Sequence, residues 1–168
     1  MKTIIAALKK NPRVSDYKIN LSQKESYESF YVKGKLETVR CTDTCDKIVT
    51  VYVDHDGFKG DSQFFVYPST TEAELGELIE KAADKAALLN NKMYSLPENE
   101  TGEFAVESNF SAYPLPALAR QVADCVFAAN TLENADLNSV EIFVNRHTGT
   151  IINSRGIHKI QVRYDAMV

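Results

Sequence analysis

Two rhythms divide the chain. Apolar residues recur every three to four positions in three segments, the spacing of one helix face. Elsewhere they alternate with polar residues, the spacing of a half-buried strand. Lys2–Lys10 places Ile4, Ile5 and Leu8 on one face, and Asn11-Pro12 stops it. Thr71 and Glu74 stand at capping-box spacing ahead of an apolar stripe of Leu75, Leu78, Ile79, Ala82, Ala83 and Ala86. That pattern predicts a helix running to Leu89. A further helix starts at Pro114–Pro116, where proline suits a first turn, and ends near Asn130, with Leu115, Leu118, Val122, Val126 and Ala129 facing inward.

The alternating segments predict strands at Tyr17–Leu21, Lys24–Val32, Lys35–Arg40, Lys47–Asp54, Phe58–Tyr67, Ser139–Asn145, Thr150–Asn153 and Ile157–Ala166. Lys33-Gly34, His55-Asp56-Gly57, Thr148-Gly149 and Ser154-Arg155-Gly156 supply the turns between neighbours. Gly60, inside a strand, marks a bulge or a close backbone approach. Strands run together before and after the two long helices, so the fold class is α+β: a mostly antiparallel sheet of seven to eight strands, two long helices and a short N-terminal helix. Asn90–Tyr113 reads as one long connection, and loops of that length are functional, mobile or interface-forming.

Composition narrows the classes. A chain of 168 residues with 44% hydrophobic and 25% charged residues is one globular domain, 1–168, with a core of its own. The net charge of −4 makes a nucleic-acid partner unlikely on charge grounds. The longest early apolar run is Ile4–Leu8, too short for a signal-peptide core or a membrane span, so the expected setting is cytoplasmic with no membrane partner. Cys41, Cys45 and Cys125 are odd in number and read as reduced structural thiols.

Chemistry-bearing motifs are missing. His55, His147 and His158 start no His-Glu-x-x-His pair, and His55 with Cys41 and Cys45 lacks a fourth zinc ligand. There is no Gly-x-Ser-x-Gly elbow, P-loop or dinucleotide fingerprint. The carboxylate pairs Asp54/Asp56 and Glu98/Glu100 sit in a turn and a loop, where solvated charge explains them. Tyr27, Phe30 and Tyr31 fall on both faces of a strand, as do Phe64, Phe65 and Tyr67, so both faces are expected to be covered.

The order of motifs resembles the TldD/PmbA family, once named modulators of DNA gyrase. Val32-Lys33-Gly34-Lys35-Leu36-Glu37-Thr38-Val39 is similar to the family's early V-x-x-G-x-x-E-x-V hairpin. A strand like Ile48–Val53 follows, then one crossing Gly60, then the T-x-x-x-L helix start, here Thr71-Glu72-Ala73-Glu74-Leu75. The Ala-rich helix of Ala82–Ala87 comes next, and Asn153-Ser154-Arg155-Gly156 resembles the N-S-x-G turn before a strand. Asp43-Thr44-Cys45-Asp46 departs from the family, many of whose members carry a Gly-containing segment there.

The resemblance implies the N-terminal, non-catalytic part of a longer metallopeptidase, or of its metal-free paired subunit. Such a part helps form a substrate passage and a subunit interface. The final strand keeps its rhythm to the chain end, in keeping with a missing C-terminal domain. Zinc is expected only in the full-length family protein, with no cofactor, catalytic residue or metal ligand in this chain. The implied partners are the C-terminal domain, a homo- or hetero-oligomeric family subunit and an unfolded peptide. Phe110, Tyr113 and Arg155 are the candidate passage or interface residues. Two other classes stay open. One is a complete non-enzymatic interaction domain. The other is a small enzyme assembled from His147, Arg155 and Asp165.

Overall fold

The computed structural model describes residues Met1–Val168. Its elements run α1 (Lys2–Lys10), β1 (Asp16–Val32), β2 (Lys35–His55), β3 (Phe58–Phe65), α2 (Glu72–Ala86), β4 (Thr101–Ala105), α3 (Leu115–Ala129), β5 (Ser139–Asn153) and β6 (His158–Met167), with a 3-10 turn at Asn109–Ala112. The α+β class holds. The strand count does not: there are six strands, in the order β3-β2-β1-β5-β6-β4. Three predicted breaks, after Leu21, after Arg40 and at Thr148-Gly149, lie inside continuous strands β1, β2 and β5. Polar residues interrupt the apolar rhythm there, but the backbone ladder does not need apolar side chains to continue.

One strand is new. β4 lies within the predicted connection, and all five of its residues are exposed, so it carries no burial pattern. The His158 amide donates to Glu100 C=O, and the Val106 amide donates to Val162 C=O. Residue numbers rise together along that pair, so β4 runs parallel to β6 and the sheet is mixed rather than antiparallel throughout.

The chain packs as two compact units: Met1–Ser22, Asp46–Glu103 and Gly149–Ile160 form the first, and Gln23–Cys45, Phe104–Thr148 and Gln161–Val168 the second. In the first, Ile4 and Leu8 of α1, Ile19 of β1, Val49, Val51 and Val53 of β2, and Leu75, Ile79, Ala82, Ala83 and Ala86 of α2 make one core. The helix stripe follows the predicted spacing except at Leu78, which is only half-buried and outside the core, and the helix ends at Ala86 rather than Leu89. Thr71 accepts from the Glu74 amide, and the Glu74 carboxylate accepts from the Thr71 amide, closing the capping box. The β2–β3 hairpin turns on Asp56 (φ 47°) and Gly57 (φ 81°), the left-handed pair of a type I′ turn.

Gly60 pairs in register with Val53, so it is not a bulge. A Cβ there would stand 1.8 Å from the Ala86 carbonyl oxygen, and its absence lets α2 settle onto β3.

In the second unit, Leu118, Ala119 and Ala123 of α3 pack on Val140, Ile142 and Val144 of β5, joined by Tyr27, Tyr31 and Phe110. Tyr31 meets Phe127 edge-on at 5.2 Å. Phe30, one residue out of step, meets Phe143 at 5.9 Å and lies under the Arg40 guanidinium at 5.7 Å. Of the second aromatic set, Phe64 packs against the first core, but Phe65 and Tyr67 remain exposed and stacked on each other.

Candidate functional site

A buried ionic cluster in the first unit holds Arg155. Asp54 and Lys59 face each other across the β2–β3 hairpin. The Lys59 side chain is 1% exposed, and its Nζ donates to Asp16 Oδ2 at 2.9 Å and meets Asp54 Oδ1 at 2.8 Å. It also stands 5.8 Å from the Tyr52 ring centroid. Asp16 accepts further bonds from Ser154 Oγ at 2.6 Å, Arg155 Nε at 3.1 Å and Arg155 Nη2 at 3.1 Å. The turn that delivers these groups is built by Asn153. Its Oδ1 accepts from the amides of Arg155 and Ile157, and its Nδ2 donates to Pro97 C=O.

The electrostatics follow from the geometry. Burial pushes the Asp16 carboxyl up, but bonds from Arg155, Ser154 and Lys59 outweigh it and hold it below its ordinary value. Burial pulls the Lys59 ammonium down, and Asp54 and Asp16 reverse that, leaving it raised. The Tyr52 hydroxyl is pushed up to about 12, first by burial and then by Tyr94 and the nearby Asp61 and Asp16. All three groups are therefore locked in one protonation state near neutral pH. The cluster suits anchoring better than proton transfer, which needs a group poised near the working pH.

Tyr113 stands in a different setting. In the second unit it lines a groove of about 600 Å³ together with Tyr27, Cys41, Asp43, Leu115, Arg146 and Tyr164. Pro114 and Pro116, which start α3, form the adjoining wall. Arg146 Nη1 holds Glu25 Oε1 at 2.9 Å, and the buried Arg146 Nε has no partner. Gln23 Nε2 donates to Asp43, another of the lining residues, at 3.1 Å. Phe110 is half-buried in the core beside this groove, and Ser108 caps its turn by accepting from the Phe110 amide.

The sequence-chosen residues therefore serve different places. Phe110 and Tyr113 belong to the second unit, and Arg155 belongs to the first, where Asp16 holds it. His147 Nε2 lies 2.7 Å from Asp165 Oδ2, and Asn145 Nδ2 donates to Asp165 Oδ1 at 2.6 Å. Burial raises the Asp165 carboxyl, but Asn145 and His147 outweigh that and hold it low. His147 and Asp165 belong to the second unit and Arg155 to the first.

Zinc does not fit the residues present. No three His, Cys, Asp or Glu side chains are placed to hold a metal ion. His55 Nε2 is engaged by Leu89 C=O at 3.1 Å, and Cys41 and Cys45 are exposed free thiols of the other unit. No helix is long and apolar enough to cross a membrane.

No protein-family model and no curated protein sequence matches the chain. Solved structures do. TldE from Thermococcus kodakarensis superposes with a TM-score of 0.57 at 15% identity, over 98% of this chain and 37% of its own. Two proteins named for a proposed role as modulators of DNA gyrase behave alike. The one from Thermotoga maritima gives 0.59 at 15% identity over 98% and 37% of the two chains. The one from Bacteroides thetaiotaomicron gives 0.56 at 13% over 98% and 38%. The chain thus carries the fold of TldE and of these gyrase-modulator proteins, and spans a little over a third of the length of each.

Proposed function

We propose that this chain is the N-terminal, non-catalytic part of a TldD/TldE-type metallopeptidase or of its metal-free paired subunit. It contributes to a substrate passage and to subunit contact, in a cytoplasmic setting, while the metal chemistry belongs to a C-terminal domain. The observation that carries this reading is the lopsided coverage of the fold match, nearly all of this chain against little more than a third of each solved neighbour. The motif order from Val32-Lys33-Gly34 to Asn153-Ser154-Arg155-Gly156 points the same way.

Within this reading, the tyrosine-lined groove is the stretch of passage wall. Tyr27, Tyr113 and Tyr164 offer amphipathic rings, Leu115 and the prolines offer apolar contact, and Arg146 offers a cation. Such a surface receives an unfolded peptide by its apolar side chains without demanding one sequence. Arg155, fixed on Asp16, holds the turn before β6, and Phe110 holds the helix entry beside the groove. The test is a photoreactive phenylalanine at position 113, irradiated with a labelled, permanently unfolded polypeptide. Cross-linking that unlabelled unfolded chain competes away is the expected result. No cross-linking above that of a folded control protein overturns the passage role.

A further inference from the structure

The tyrosine groove of the second unit is unbalanced in charge. Glu25 of β1 and Asp43 of β2 stand on neighbouring strands and both line it. Like charges on adjacent strands oppose each other. Arg146 is the one cation of the lining, and Glu25 holds it at 2.9 Å. Asp43 is left with the neutral side-chain amide of Gln23 at 3.1 Å. It is exposed and has no ion-pair partner. The groove therefore presents one uncompensated carboxylate.

Two features that draw anions elsewhere are closed off here. The Arg146 Nε has no partner, but it is buried, so a carboxylate entering the groove does not reach it. The start of α3 forms part of the wall, yet it offers little of a helix N-terminus. Pro114 and Pro116 have no N–H, and the Ala117 and Leu118 amides are already given to Pro114 C=O.

The rest of the lining suits a cation on an apolar stem. Tyr27, Tyr113 and Tyr164 share the groove with Asp43, and Tyr113 is 48% exposed. The face of a tyrosine ring attracts a cation. Lysine and arginine lay their methylene stems on apolar surface while the charge stays in water, and Leu115 with the two prolines supplies that surface.

We infer that the groove selects lysine- or arginine-bearing stretches of an unfolded polypeptide. The ammonium or guanidinium pairs with Asp43 and lies against a tyrosine ring, while its stem and an apolar neighbour rest on Leu115 and the prolines. Asp43 is the specificity-determining residue. The inference rests on the reading of this groove as passage wall and adds which segments the wall takes.

Fluorescence anisotropy with three labelled, unstructured peptides tests it. They share length and apolar residues, and carry lysines, glutamines or glutamates at the same two positions. The lysine peptide is expected to bind at least about threefold tighter than the glutamine peptide, with the glutamate peptide weakest. Added salt narrows that gap. Asp43→Asn is expected to bring the lysine and glutamine peptides within about twofold of each other, with the glutamine peptide's affinity unchanged. Asp43→Lys is expected to favour the glutamate peptide. Glu133→Gln, the same loss of charge beyond the other end of α3, is expected to keep the lysine preference. Equal binding of the lysine and glutamine peptides, or a lysine preference that survives Asp43→Asn, overturns the inference and leaves the passage wall standing. Binding of none of the three peptides overturns both.

Discussion

Replacing Asp16 by Asn removes one charge and almost no volume, and it strikes the centre of the buried cluster. The Asp16 side chain is 5% exposed and receives Lys59, Ser154 and Arg155. Asparagine turns an NH2 group toward at least one cationic donor and leaves Lys59 with Asp54 alone at 2.8 Å. Removing one member of a buried ion pair costs ~3–5 kcal/mol. Asp54 still compensates Lys59 in part, which places the loss at the lower end, ~3 kcal/mol. For a chain of this size that lowers the melting temperature by ~6–12 °C.

The pH dependence carries the sign. The folded Asp16 carboxyl lies below its ordinary value, so its stabilisation is present above the unfolded value of about 3.9 and is lost as pH falls through the folded one. The gap between wild type and Asp16→Asn is therefore flat from about pH 5 to 8 and closes below about pH 4. Lys59 is raised, so its own share persists below its ordinary value and is lost only at more alkaline pH. Thermal melts followed by circular dichroism in a pH series measure both effects. A variant melting within about 1 °C of wild type at pH 7, or a gap that widens on acidification, refutes the reasoning.

Two further substitutions test packing. Gly60→Ala places a methyl 1.8 Å from the Ala86 carbonyl oxygen, a backbone atom that cannot turn aside. We expect a loss of ~3 kcal/mol or more by urea unfolding, the upper end of overpacking, and a near-neutral result contradicts the close approach of α2 to β3. Phe110→Ala and Tyr113→Ala separate a structural from a surface role. The half-buried Phe110 is expected to cost ~2 kcal/mol, and the exposed Tyr113 less than ~0.5 kcal/mol, measured by the same melts.

The helices were legible because their signals are local. Pro12, the Thr71/Glu74 capping box and Pro114 each fix an end within one turn, and the α2 stripe needs only its own spacing. The strands were less so. β1, β2 and β5 run on through Ser22, Cys45 and Thr148, the positions where the chain passes between its two units and the apolar alternation lapses. β4 was hidden because an exposed strand has no buried face to announce it.

The ionic cluster escaped for another reason. Asp16, Asp54, Lys59 and Arg155 are distributed over most of the chain, and only the fold gathers them. One signal was available. The Asp56-Gly57 turn sets the hairpin register and places Asp54 opposite Lys59, an opposite-charge pair on a strand that Gly60 already marks as closely covered. The tyrosine groove gathers β1, β2, β5 and β6 with the entry to α3, and of its lining only Tyr113 was chosen from sequence as a passage or interface residue.

The proposal tested last is that this chain is the non-catalytic part of a metallopeptidase. Its most direct test is the metal content and hydrolytic activity of the purified chain after equilibration with zinc. Elemental analysis is expected to find no stoichiometric zinc after dialysis, and an unfolded casein substrate is expected to remain uncleaved. Tightly held zinc at one equivalent, or zinc-dependent cleavage of casein by this chain alone, contradicts the account.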